Sequence, residues 1–168
     1  MKRIIFLSIL LFSGCSDLGT DASNGLAQLS IQDSIREAVF RYQFQHNASG
    51  QQQTAKIYFL SVMILNDSTG YWIHGNPSLD ILSHFNNNVP PVKSFSDCTL
   101  SVNGVFDNKT GENGLLFQVG ALRWITEEQV EVDGGYFEGG LSASGNTYYL
   151  ERKNAQWIVT RDVMHWIS

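Results

Sequence analysis

The chain has 168 residues, enough for one ordinary domain, and a formal net charge of −5 at pH 7. Hydrophobic residues make up 43% and charged residues 16% of the sequence, which suits a globular domain and excludes wholesale disorder. The 11 Lys and Arg residues are scattered along the chain, so the sequence predicts no nucleic-acid partner.

The first residues, MKRIIFLSILLFSGC, have the three parts of a secretory signal peptide. Two basic residues come first, an apolar run covers residues 4–12, and the small residues Ser13 and Gly14 precede Cys15. The apolar run is too short to span a bilayer as a permanent helix. Signal-peptide cleavage a few residues further on, giving a soluble secreted protein, is the alternative interpretation.

The ending LFSGC resembles the bacterial lipobox, in which the cysteine is lipidated and becomes the new N-terminus. The resemblance implies that Cys15 carries the lipid (palmitate among its acyl chains) and that the chain is membrane-anchored. Ser16 follows the cysteine where aspartate would mark inner-membrane retention, so in a Gram-negative host the resemblance implies the outer membrane, facing the periplasm. The expected organisation is a signal peptide over 1–14, a lipidated tether over 15–29 and one domain over 30–168.

Two helices are expected in the first half of the domain. Ser30 with Asp33 three residues later looks like a variant capping box, and apolar residues then recur at helical spacing as far as Tyr42, which predicts a long helix starting near Ser30. Asn76 followed by Pro77 predicts the start of a short helix. Between them, the stretch TAKIYFLSVMIL has apolar residues at both odd and even positions, which predicts a strand buried on both faces.

From Ser94 onward the apolar pattern has period two. It predicts strands at about 95–105, 114–125, 129–138, 145–153 and 156–165, and the short breaks between them predict antiparallel hairpins. The expected fold class is therefore α+β, with a long N-terminal helix packed on a curved antiparallel meander sheet of about five to six strands, plus one short helix.

This element order resembles the cystatin-like and nuclear-transport-factor-2-like α+β folds over residues 30–168. The stretches IREAVFRYQF, GGYFEGGLSASGNTYYL and DVMHWIS also resemble an uncharacterised family of bacterial secreted proteins. The resemblance to the secreted family implies no particular activity.

The glycine-rich stretch DGGYFEGGLSASGNTYYL, residues 133–150, invites a catalytic interpretation. Neither Ser142 nor Ser144 has both glycines of the G-x-S-x-G nucleophile elbow, and neither lies between a strand and a helix. Two interpretations stay open for residues 133–146. The glycines allow a strand to bend, with Gly145 and Asn146 turning the chain, or they form a binding loop.

The candidate ligand-binding residues are the aromatic side chains Tyr136, Tyr148 and Trp166. Enzymes of the nuclear-transport-factor-2-like fold often place an Asp and a His inside the cone of the sheet for proton transfer. The resemblance makes Asp162, His165 and Asp97 the candidate catalytic residues, with a structural role for the histidine as the alternative. The four histidines lack the spacing of a zinc pair, so neither a metal nor a cofactor is predicted.

These observations favour a membrane-anchored, non-enzymatic binding or accessory lipoprotein of the bacterial envelope. Its expected partners are the membrane, through the N-terminal lipid, and an envelope protein, a glycan or a small hydrophobic ligand. Two alternatives remain. One is an enzyme with a buried Asp–His pair, and the other is an immunity or inhibitor lipoprotein with an acidic face that matches a basic toxin.

Overall fold

The computed structural model describes the backbone from Thr20 onward and the side chains from Ser30 onward. The predicted signal peptide and Cys15 lie outside the described residues. Two α-helices are described, α1 (Thr20–Gln45) and α2 (Leu79–Ser83), together with a short 3₁₀ helix at Phe95–Asp97. The strands are β1 (Ile57–Leu65), β2 (Trp72–Gly75), β3 (Val92–Ser94), β4 (Cys98–Ser101), β5 (Gly104–Asp107), β6 (Asn113–Thr126), β7 (Gln129–Gly139), β8 (Ser142–Lys153) and β9 (Gln156–Ile167).

All nine strands belong to one mixed sheet. Its central order is β2-β1-β6-β7-β8-β9, while β3 pairs with β1, and β5 joins β4 to β6. The strand β1 runs parallel to β6, with Leu60 opposite Phe117, and the strands β6 to β9 pair antiparallel in chain order. A parallel pair requires a long crossover, which the segment from β2 to β5 supplies.

The expected α+β fold with a simple meander is wrong. The structure is mostly β, with 53% of the residues from Ser30 onward in strands and 17% in helices. Short strands at residues 72–75 and 92–94 were not expected, and the predicted strand over 95–105 is a 3₁₀ turn followed by the β4–β5 hairpin. The hairpin turns just before Gly104, whose φ of +145° lies in a region that side chains disfavour.

Both helix starts also differ from the expectation. Helix α1 begins at Thr20, so Ser30 lies inside it and is no cap. Asp33 instead forms an ion pair with Arg36 at 3.0 Å and accepts a hydrogen bond from the Ser78 hydroxyl at 2.6 Å, which ties α1 to α2. The N-cap of α2 is Ser78 rather than Asn76. In the part of the chain that the structure describes, no helix is long and apolar enough to cross a membrane.

The main core lies between α1 and one face of the sheet, here named the inner face. Val39 and Phe40 of α1 and Leu60 and Phe117 of the sheet are fully buried there. The Phe44 ring, on the same helix, lies 5.0 Å from the Phe117 ring between centroids. Burying each large apolar side chain contributes about 1.5–3 kcal/mol, so this face supplies most of the stability.

The opposite face, here named the outer face, is covered at one end only. There the β4–β5 hairpin buries Phe59 and Leu116 together with Cys98. The Cys98 thiol donates to the Phe95 carbonyl oxygen at 3.2 Å, and burial raises the pKa of this thiol to about 11. Such a thiol is inert at neutral pH, which agrees with a role in packing. The rest of the outer face remains open.

Candidate functional site

The glycine-rich stretch is a strand–turn–strand unit. Strand β7 ends at Gly139 and β8 begins at Ser142, so the chain turns at residues 140–141. The expected turn at Gly145 and Asn146 is wrong, because both residues lie inside β8. The turn sits against the β4–β5 hairpin, where the Gly140 N–H donates to the Val102 carbonyl oxygen at 2.9 Å.

Strands β7 and β8 keep one register through the middle of this unit. Gly134 lies opposite Asn146 and Phe137 lies opposite Ala143, and the register shifts between Phe137 and Gly139. A Cβ atom on Gly135 would collide with the Ser144 carbonyl oxygen of the facing strand. Glycine is therefore required for the close approach of the two backbones.

A bulge in the last strand pair then sets the direction of Trp166. Gly145 pairs with Trp166 and Asn146 pairs with Met164, so β9 has one extra residue at His165. Because side chains alternate between faces, this extra residue moves Trp166 from the inner to the outer face. Its indole lies where a Cβ atom of Gly145 would be.

These features create a cavity of about 270 Å³ on the open outer face, here named the sheet groove. Its floor includes Gly120, Gly135 and Gly145, and its sides include Met63, Trp72 and Trp166. Trp72 is 48% exposed and Trp166 is 54% exposed, so both indoles keep about half of their surface available to a ligand. The side chains of Gln118 and Asp133 add hydrogen-bonding groups.

A chain of polar contacts fixes the Asp133 side of the groove. The Arg123 guanidinium binds both oxygens of the Asp133 carboxylate and holds the pKa of Asp133 below its ordinary value. The Thr147 hydroxyl is 2.8 Å from Asp133 Oδ1 and 2.8 Å from His165 Nε2. Since the ionised carboxylate only accepts, Thr147 donates to it and must accept from His165, which places a proton on Nε2 of the histidine.

A second cavity, of about 210 Å³, lies on the inner face beside the C-terminal end of α1 and is here named the helix-side pocket. Its walls include Gln43, His46, Asn146, Tyr148, Asp162 and Met164. The Tyr42 hydroxyl donates to Asp162 Oδ1 at 3.0 Å, and Asn146 Nδ2 donates to Asp162 Oδ2 at 3.4 Å. Burial raises the pKa of Tyr148 to about 12, so its hydroxyl stays protonated at neutral pH.

The three candidate catalytic residues are not brought together. Asp162 contacts Tyr42 on the inner face, whereas His165 contacts Thr147 on the outer face. Asp97 lies in the 3₁₀ helix, where its carbonyl oxygen accepts from the Asn108 N–H at 2.9 Å, and it lines neither cavity.

The three candidate ligand-binding residues fall into two places. Tyr136 and Tyr148 are 2% and 3% exposed and line the helix-side pocket. Trp166 lines the sheet groove. The sequence interpretation missed Trp72, which belongs to a strand of four residues, and it also missed Gln43. The only sequence signal for Trp72 was its place between two glycines in GYWIHG.

A serine–histidine contact at the edge of the sheet was also unexpected. Ser61 Oγ lies 2.9 Å from His74 Nδ1, and the His74 ring stacks on Phe95 with 4.5 Å between centroids. Burial lowers the pKa of His74 below its ordinary value. Ser61 is 0% exposed, so a substrate cannot reach its hydroxyl and the contact is structural.

No group of three or more His, Cys, Asp or Glu side chains within the described range is placed to hold a metal ion. Comparisons of the chain with protein-family profiles, with curated proteins and with solved structures found no match.

Proposed function

We propose that this chain is a binding domain of the bacterial cell envelope, anchored through a lipid on Cys15, that holds its ligand in the sheet groove. The observation that carries the proposal is the pair of half-exposed tryptophans, Trp72 and Trp166, beside a floor of glycines. Tryptophan side chains are highly buried on average, so two half-exposed ones in one concavity are informative, and concave sites with a few polar groups are the usual place for small ligands.

The chemistry of the groove favours a ligand with a flat apolar face and polar edges, as a sugar ring has. An indole face carries a negative quadrupole that attracts the slightly positive C–H groups of such a ring. Gln118 offers both an acceptor and donors, and the Asp133 carboxylate accepts from hydroxyl groups. The proposed ligand is therefore an oligosaccharide of the envelope.

Binding without catalysis agrees with the placement of the candidate catalytic residues. Asp162 and His165 point to opposite faces of the sheet, so they do not form an acid–base pair. Near the groove, the carboxylate of Asp133 is occupied by Arg123 and Thr147, which suits a group that orients a ligand rather than one that transfers protons.

The proposal is tested by calorimetric titration of the full chain, purified from membranes in mild detergent, with an oligosaccharide of N-acetylated amino sugars. Trp72→Ala and Trp166→Ala are each expected to weaken binding by at least tenfold. Tyr71→Ala is the matched control, because Tyr71 is 74% exposed next to Trp72 but does not line the groove. Equal affinities for all three variants and the wild type would contradict the site.

The anchoring part of the proposal is tested separately with Cys15→Ser. The wild type is expected in the membrane fraction and labelled by a palmitate analogue. The variant is expected to be unlabelled and absent from the membrane fraction. A wild-type chain that is never labelled would contradict lipidation and favour a soluble secreted protein, without bearing on the groove.

A further inference from the structure

The helix-side pocket contains a buried hydrogen-bond acceptor that the described residues leave unpaired. Gln43 is 1% exposed, and its Nε2 lies 3.2 Å from the Tyr148 hydroxyl and donates to the Gln118 and Gly135 carbonyl oxygens at 2.9 and 3.2 Å. These two acceptors fix the orientation of the amide, because a carbonyl oxygen cannot donate to Oε1. Gln43 Oε1 has no hydrogen-bond partner among the described residues. Buried polar atoms are nearly always paired, so this atom needs an explanation.

The same pocket contains a negative charge that has no Lys or Arg side chain of the described residues beside it. Asp162 accepts only from the neutral groups Tyr42 and Asn146, and it forms no ion pair with the described side chains. Within residues 30–168, neither lysine nor arginine lines the pocket, and His46 Nδ1 donates to the Tyr42 carbonyl oxygen at 3.1 Å. No Lys or Arg side chain of the described residues therefore balances the Asp162 carboxylate, and the field inside the pocket favours a cation.

We propose that the helix-side pocket binds the ammonium end of a small aliphatic amine. The ammonium group donates to Gln43 Oε1 and to the Asp162 carboxylate, which pairs the buried acceptor and neutralises the charge. The aliphatic stem lies against the apolar atoms of Met164 and Tyr136. A volume of about 210 Å³ holds about seven water-sized groups at roughly 30 Å³ each, which suits an amine of four or five carbons.

This site is distinct from the sheet groove, although the two cavities share the backbone at Gly135 and Ser144. One lies on the inner face and the other on the outer face, so a ligand in one does not occupy the other. The inference therefore stands or fails independently of the proposed function.

The test is a nuclear magnetic resonance titration of the full chain with 1,4-diaminobutane, and with 1,4-butanediol as its uncharged counterpart. The diamine is expected to shift the side-chain amide signal of Gln43 and the signals of Asn146 saturably. The diol is expected to bind at least tenfold more weakly, because it lacks the charge that Asp162 favours. Asp162→Asn is expected to weaken diamine binding by at least tenfold, since it removes the charge but keeps an acceptor for Tyr42.

Asp80→Asn is the matched control, because it removes the same charge from an exposed position on α2 whose side chain is 70% exposed. It is expected to leave the affinity unchanged. The proposal is overturned if the diamine produces no saturable shift at Gln43, if the diol binds the wild type equally well, or if a folded Asp162→Asn binds the diamine as the wild type does. The comparison of the two probes on the wild type decides the matter even if Asp162→Asn does not fold.

Discussion

The two faces of the sheet are built from the same strands but have opposite compositions. Along β6, the fully buried Phe117 faces the helix and its neighbour Gln118 lines the sheet groove. Along β7, Val132 is fully buried on the inner face and Asp133 lies on the outer face. Strand alternation thus separates the two tasks, because the inner face supplies stability and the outer face presents glycines and half-exposed tryptophans to a ligand.

The largest difference between the faces is expected in stability. Phe117→Ala removes a fully buried ring from the inner core and is expected to lower the free energy of unfolding by about 3–5 kcal/mol. Trp166→Ala removes a half-exposed ring from the groove and is expected to cost no more than about 1 kcal/mol. Urea denaturation followed by circular dichroism measures both. Similar losses for the two variants would show that the groove is part of the core.

The second difference lies within the groove floor. Gly135→Ala places a methyl group against the Ser144 carbonyl oxygen, so β7 and β8 must separate, at an expected cost of about 1–3 kcal/mol. Gly145→Ala meets the Trp166 indole, a side chain with room to move into solvent, so we expect weaker oligosaccharide binding with a smaller loss of stability.

Gly50→Ala is the control for both glycine variants, because a Cβ atom there meets its nearest neighbour at an ordinary 4.0 Å. It is expected to change neither stability nor binding. If Gly135→Ala is as harmless as Gly50→Ala, the close approach of β7 and β8 does not depend on glycine.

A smaller, pH-dependent effect is expected at the covered end of the outer face. Hydrogen bonding to Lys93, followed by contacts to Thr110 and Lys109, holds the pKa of Asp107 at about 2, below its ordinary value of 3.8. Because the folded pKa is depressed, this group stabilises the fold above pH 4 or so, and the contribution is lost as the pH falls from about 4 to about 2. Asp107→Asn should flatten the stability curve in that window, whereas Asp80→Asn at its exposed position should not.

Individual strands were easier to predict from the sequence than the strands with which they pair. The alternation of apolar residues with period two predicted β7 at 129–138, close to the observed Gln129–Gly139, because such alternation is a local signal. The parallel pairing of β1 with β6 was not predicted, because Leu60 and Phe117 meet across a crossover that leaves no local pattern. The sequence also placed the start of α1 too late, at Ser30, because a capping box occurred inside a helix.

The candidate site was predictable only in part. Trp166 was named as a candidate because its side chain is aromatic. Its place in the groove depends on the bulge at His165, which shifts the alternation of side chains along β9. Trp72 was missed, because a strand of four residues beside a turn carries too little pattern to be recognised. Asp162 and His165 are close in sequence but face opposite sides of the sheet, and only the structure reveals which groups each one meets.

A ligand in the sheet groove is detected through the four tryptophan indole N–H signals of the full chain, followed by nuclear magnetic resonance during titration with the amino-sugar oligosaccharide. Trp72 and Trp166 line the groove, whereas Trp124 and Trp157 pack edge to face elsewhere, with 5.6 Å between their rings. If the ligand binds there, the signals of Trp72 and Trp166 shift together and saturate while those of Trp124 and Trp157 stay in place. Shifts confined to Trp124 and Trp157, or no shift at any of the four, would contradict binding in the sheet groove.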